Sequence, residues 1–187
     1  MDEVELWRRA FCTYTKEPGV LQAWVEHVER VGPERAVEEA VRYIRVYGDA
    51  PDGVTLGFSP QVLVAAAAVR GMQGREPALV VVTSPEVVAG SVKAAELSHR
   101  VLALFRESGL VKSLYTSLMA PSRDVSVDRV LSELTGALQR ARGDGVRVLD
   151  ISGGTQLVPV AAMRAGLRRL TYTYPDGEYV VVYGFEV

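Results

Sequence analysis

The sequence predicts an α/β fold: a mainly parallel sheet with helices on both faces, closed by a C-terminal β-hairpin and preceded by a small helical extension. From Gly53 onward, short β-branched runs alternate with helical stretches. Runs such as Leu79-Val80-Val81-Val82 are apolar without alternation, as strands covered on both faces must be. Near the end, Pro175-Asp176-Gly177 separates two strand-like runs and reads as a hairpin turn.

Taken in order, residues 1 to 48 read as three helices. Val4, Trp7, Phe11 and Tyr14 repeat at helical spacing behind Asp2, with Glu5 where a capping acid belongs. Pro18-Gly19 breaks this helix, and Leu21, Trp24, Val25 and Val28 form the next stripe. Pro33 opens a third, which carries Val37, Ala40, Val41 and Ile44 and is expected to run to Gly48. The expected role of this segment is a helical cap. A DNA-reading helix-turn-helix is the alternative, but the segment holds nine acids and seven bases, whereas phosphate binding needs a basic face.

Asp49-Ala50-Pro51-Asp52-Gly53 is a turn-rich linker, so a second unit is expected over 53–187. Its parallel strands are expected at Val54 to Phe58, Ala78 to Thr83, Ser113 to Leu118 and Val146 to Ile151. Helices are expected near 60–70, 91–108, 125–142 and 155–166. Leu170 to Tyr174 and Tyr179 to Phe185 form the closing pair.

Composition narrows the function classes. Hydrophobic residues make up 48% and charged residues 24% of 187, the balance of a globular protein. Cys12 is the only cysteine and cannot form an intramolecular disulfide; no Cys and His set has metal-ligand spacing, so no metal is expected. The acidic start lacks signal-peptide features and no apolar run reaches membrane-spanning length, which predicts a cytoplasmic protein without a membrane partner. Net charge is −2, so an anionic ligand would have to be held by local groups; lysine occurs only at Lys16, Lys93 and Lys112. Neither a Walker lysine motif nor a GxGxxG fingerprint is present, and no cofactor is expected.

In an open parallel sheet, ligands sit beyond the carboxyl ends of the strands. Two loops there stand out. In Gly57-Phe58-Ser59-Pro60-Gln61, Gly57 lets backbone approach a ligand, Ser59 can cap the next helix and Pro60 suits its first turn; the same residues also make an ordinary strand-to-helix junction. In Asp150-Ile151-Ser152-Gly153-Gly154-Thr155-Gln156, two successive glycines permit positive φ and expose consecutive N–H groups, the geometry of an anion-binding nest. Ser152 and Thr155 add hydroxyl donors, and Asp150 is expected to brace the turn. Arg123 can reach the same edge and pair with phosphate, or pair with Asp124 or Asp128 instead. Ser84, after the second strand, completes the candidate set. His27 and His99 have no partner at dyad or ligand spacing and read as packed or solvated.

The Gly57–Gln61 and Asp150–Thr155 loops resemble the two signature loops of the CRISPR-associated Rossmann fold (CARF) family, and the strand and helix order resembles it over residues 53–187. The resemblance implies a Rossmann-like domain that binds cyclic oligoadenylate across the two-fold axis of a homodimer. Gly57, Phe58, Ser59, Pro60, Gln61 and Ser84 would border the ring, and Ser152, Gly153, Gly154, Thr155 and Gln156 would hold its phosphates and sugars. Many members carry a lysine where this chain has Gln156, which implies that binding survives the change better than cleavage does. The family thus implies a CRISPR-associated sensor with an effector partner. It also offers two alternatives, a metal-independent ring nuclease and a ligand-responsive transcription regulator.

Overall fold

The computed structural model, which describes residues 1–187, arranges the chain as eight α-helices and seven strands. First come α1 (Glu3–Ala10), α2 (Pro18–Val31) and α3 (Pro33–Ala40). Asp2 caps α1 by accepting a hydrogen bond from the Glu5 amide at 2.8 Å. Pro18 and Pro33 occupy first turns, where a missing N–H leaves no helical bond unmade.

After α3 the chain departs from the expected helix. A 3-10 turn, Val41–Tyr43, leads into strand β1 (Ile44–Tyr47), which pairs parallel with the last strand. Tyr43-Ile44-Arg45-Val46-Tyr47 is rich in β-branched and aromatic residues, and the open edge of the sheet supplies a hydrogen-bonding partner that helical spacing cannot reveal.

The remaining elements alternate as expected: β2 (Gly53–Leu56), α4 (Gln61–Met72), β3 (Leu79–Thr83), α5 (Pro85–Ala89), α6 (Glu96–Glu107), β4 (Val111–Thr116), α7 (Val127–Gly143), β5 (Val148–Asp150), α8 (Leu157–Arg164), β6 (Arg169–Pro175) and β7 (Val180–Glu186). The sequence reading lacks only α5. Ser84 caps it through the Val87 amide, Pro85 starts it, and Gly90 at φ +63° ends it. The hairpin turn between β6 and β7 is held by the Asp176 carboxylate, which accepts from the amides of Glu178 and Tyr179.

The sheet order is β1-β7-β6-β5-β2-β3-β4. Strands β2 to β6 run the same way, while β7 and β1 run opposite to them. Counted from β2 and read from the β4 edge, the order of the six strands from β4 across to β7 is 3-2-1-4-5-6, the doubly wound arrangement of a Rossmann-like fold. The order reverses between β2 and β5, so the crevice that such sheets offer to ligands opens at their carboxyl ends. Asp52 fixes the other end of this strand pair: its Oδ2 accepts from the amides of Arg147 and Val148 at 2.9 and 3.0 Å.

Helices α1 to α4 and α6 cover one face, in a core of 34 buried residues running from Trp7 to Val182. Helices α7 and α8 cover the other, in a core of 16. The first 48 residues therefore share their core with the sheet. At its centre Trp7 is stacked on Tyr43 at 5.5 Å and stands edge-on to Trp24 at 5.6 Å. Burial pushes the Cys12 thiol in this core up to about 12, which leaves it protonated and unreactive.

Beside this aromatic cluster His27 does have a carboxylate partner, contrary to the sequence expectation. Its Nε2 lies 2.7 Å from Oε2 of the buried Glu39, to which Trp7 Nε1 also donates, and its Nδ1 lies 2.9 Å from an Arg30 guanidinium nitrogen. The partners are twelve residues apart on different helices, a spacing no linear motif marks. Glu3 completes a group of three possible ligands, but both imidazole nitrogens are already engaged, so the cluster reads as a brace between α1, α2 and α3. His99 lies on α6 with its Nδ1 3.0 Å from the Val87 carbonyl oxygen. Glu39→Ala, which strands two buried donors, is expected to cost about 3 kcal/mol. The urea midpoint reads this directly, and an unchanged midpoint would show that the brace is idle.

Candidate functional site

Strands β2 and β5 are neighbours, and the loops leaving them enter helices on opposite faces of the sheet. Their ends are tied together by the Thr55 hydroxyl, which donates to the Asp150 carbonyl oxygen at 3.0 Å. Beyond that tie the two loops pack backbone against backbone. A Cβ on Gly57 would come closer than 3.0 Å to the Gly153 carbonyl oxygen, one on Gly153 equally close to the Thr55 carbonyl oxygen, and one on Gly154 equally close to the Val158 side chain. None of the three has a positive φ, so the expected reason for the paired glycines is corrected. They are required by close approach and not by a left-handed turn.

Asp150 braces the second loop from beneath. Its Oδ1 accepts from the Ser152 amide at 3.0 Å and its Oδ2 from the hydroxyls of Thr171 and Thr173, both at 2.8 Å. The side chain is buried, and desolvation raises its pKa while the three hydrogen bonds oppose the rise. Ser152 adds a further tie by accepting the Thr173 amide at 2.6 Å. Tyr14, from the α1–α2 connection, packs its hydroxyl beside Thr173 and Asp150 without a hydrogen bond of normal geometry. Its pKa is raised well above the usual phenol value, chiefly by burial.

A cavity of about 540 Å³ opens over these loops. Of the sequence candidates it is lined by Gly57, Phe58, Ser59, Ser84, Ser152, Gly153, Gly154 and Thr155. The amides of Gly57, Phe58 and Ser59, and those of Gly153 to Gln156, donate to no protein acceptor. Six of these seven amides belong to residues that line the cavity and are left to an anion or to solvent, but with no positive φ at Gly153 or Gly154 the left-handed nest expected from the paired glycines is not formed. The Ser59 hydroxyl is unengaged and does not cap α4, which begins behind Pro60 without a side-chain cap. Thr155 is corrected as a donor: its hydroxyl is committed to the Met119 carbonyl oxygen at 2.6 Å and anchors the loop after β4.

Four candidates lie outside the cavity lining. Pro60 is buried at the start of α4. Gln61 is also buried, and its Nε2 donates to the carbonyl oxygens of Ala10 and Thr15 at 3.1 and 3.2 Å. It thereby fastens the α1–α2 connection to the site. Gln156 is exposed at the start of α8. Arg123 is exposed in the loop before α7 and forms no ion pair with Asp124 or Asp128.

Sequence reasoning missed the rest of the lining: Lys16 from the α1–α2 connection, Leu56 at the end of β2, Glu86 and Val92 around α5, and Leu118, Met119 and Ala120 after β4. The residues after β4 could have been found, since that loop also leaves a carboxyl end of the sheet. Lys16 could not, because nothing in its linear context places it near residue 153.

No known protein-family model matches the chain, and no curated protein is significantly similar to it in sequence. No helix is long and apolar enough to cross a membrane.

Proposed function

We propose that the protein is a sensor that binds a cyclic oligoadenylate at this crevice, as a homodimer, and passes the bound state to a CRISPR effector partner. The observation that carries the reading is the convergence of the Gly57–Ser59 and Ser152–Thr155 loops on one cavity, with six unpaired amides among the residues that line it. Unpaired amides at a strand-to-helix junction suit phosphodiester oxygens, and the exposed, cavity-lining Phe58 offers a face on which a base can stack.

A cavity of about 540 Å³ accommodates part of such a ring and not the whole. A second copy related by a two-fold axis would present the same groups to the other half. Apolar surface for such an association is available. Tyr172, Tyr174, Tyr183 and Phe185 remain exposed on β6 and β7, as do Val160 and Met163 on α8.

Calorimetry and light scattering with cyclic tetra-adenylate and cyclic hexa-adenylate in EDTA test the reading. One ring is expected to bind per two chains, with no linear product. Absence of binding by either ring at millimolar concentration would overturn it, and rapid linearisation would make the protein a ring nuclease instead.

A further inference from the structure

Resting on the reading of the crevice as a site for a phosphate-bearing nucleotide, we infer that Lys16 is the cation of that site, supplied by the helical segment. Fifteen residues line the cavity, and Lys16 alone among them carries a positive charge. Its ammonium forms no ion pair within the chain, although Arg9 nearby is engaged by Glu5 and Glu17. An ammonium without a carboxylate partner and amides without protein acceptors, lining one cavity, are together suited to an anion.

The backbone that carries Lys16 is held on several sides. Gln61 binds the carbonyl oxygens of Ala10 and Thr15, the Gly177 amide donates to the Cys12 carbonyl oxygen at 2.9 Å, and Tyr14 sits at φ +48° with its hydroxyl buried. A side chain springing from a fixed turn loses less freedom on binding than one on a mobile loop. The buried Gln61, an otherwise unexplained polar residue at the start of α4, acquires a role here as the clamp that seats Lys16 over the β2 and β5 loops. Gln156 cannot substitute, because it is uncharged and lies outside the cavity. The one acid of the lining, Glu86, makes no bond to Lys16 and would repel the same anion.

The test titrates wild type, Lys16→Ala, Lys16→Arg and Glu86→Gln with cyclic tetra-adenylate and, as a second phosphate-bearing probe, with ADP, each at low and high salt. Lys16 and Glu86 are exposed, so urea midpoints should match wild type. Lys16→Ala is expected to weaken binding about ten- to hundredfold and to flatten its salt dependence. Lys16→Arg should restore affinity to within about fivefold, because charge and not shape is the contribution, and Glu86→Gln should tighten binding. Wild-type affinity and salt dependence in Lys16→Ala would overturn the inference, as would equal losses in the alanine and arginine variants. Lys16-dependent binding of ADP without binding of the ring would sustain the role of Lys16 and sink the proposed function. Failure of wild type to bind either probe would sink both.

Discussion

Gly153→Ala is expected to destabilise the protein by about 3 kcal/mol and to abolish ligand binding. The added methyl would fall closer than 3.0 Å to the Thr55 carbonyl oxygen, and the Gly57 amide nitrogen stands at 3.3 Å on the same side. Backbone atoms of a central strand cannot rotate away as a flexible side chain would, so the loops after β2 and β5 must separate. Gly57→Ala makes the complementary intrusion, against the Gly153 carbonyl oxygen. Because either methyl forces the same separation, the double variant should cost less than the sum of the two. Gly71→Ala is the control: nothing lies within 4 Å of its Cβ position near the end of α4, and the change should be neutral or stabilise by about 0.5 kcal/mol. Urea unfolding of the four variants reads the comparison. A Gly153→Ala midpoint equal to that of Gly71→Ala would mean that the loops are not in contact in solution.

The fold was legible from Gly53 onward because a parallel sheet writes itself locally. Each buried strand is a short apolar run such as Leu79 to Thr83, and the helices after β2, β3 and β5 begin within a few residues of the strand end. It was not legible at Ile44 to Tyr47, where pairing with Val180 to Tyr183, more than a hundred residues away, overrides a helical stripe. The site divides in the same way. Gly57, Ser59, Ser84 and Ser152 to Thr155 follow carboxyl strand ends and were found by topology. Lys16 reaches the cavity only through the packing of α1 and α2 on the sheet, and the commitment of the Thr155 hydroxyl to Met119 is a contact between two loops. The glycines were identified for the wrong reason: sequence shows that a side chain is absent, but not whether a φ value or a neighbouring carbonyl excludes it.

Replacing Asp150 separates the bracing of the loop from its charge. Asp150→Ala leaves the Ser152 amide and the hydroxyls of Thr171 and Thr173 without their acceptor in a buried site, and should cost about 4 kcal/mol together with ligand binding. Asp150→Asn keeps an oxygen for the Ser152 amide, and the two threonine hydroxyls can rotate to accept from its amide nitrogen. Its cost should therefore be about 1 kcal/mol near neutral pH. The two variants also differ from wild type in how stability depends on pH. Burial raises the Asp150 pKa above its ordinary 3.8, so over the window above that value the folded state holds a proton that the unfolded state has released. Stability from this group is then greatest at low pH and declines as pH rises through the raised pKa, where the carboxylate must ionise in a desolvated site. Asparagine carries no such penalty, so Asp150→Asn should gain on wild type as pH increases above 3.8, while the deficit of Asp150→Ala should shrink only partly because its donors stay orphaned. Urea midpoints measured across that range decide the matter, and a constant difference between wild type and Asp150→Asn would mean that Asp150 ionises as freely in the folded protein as in water.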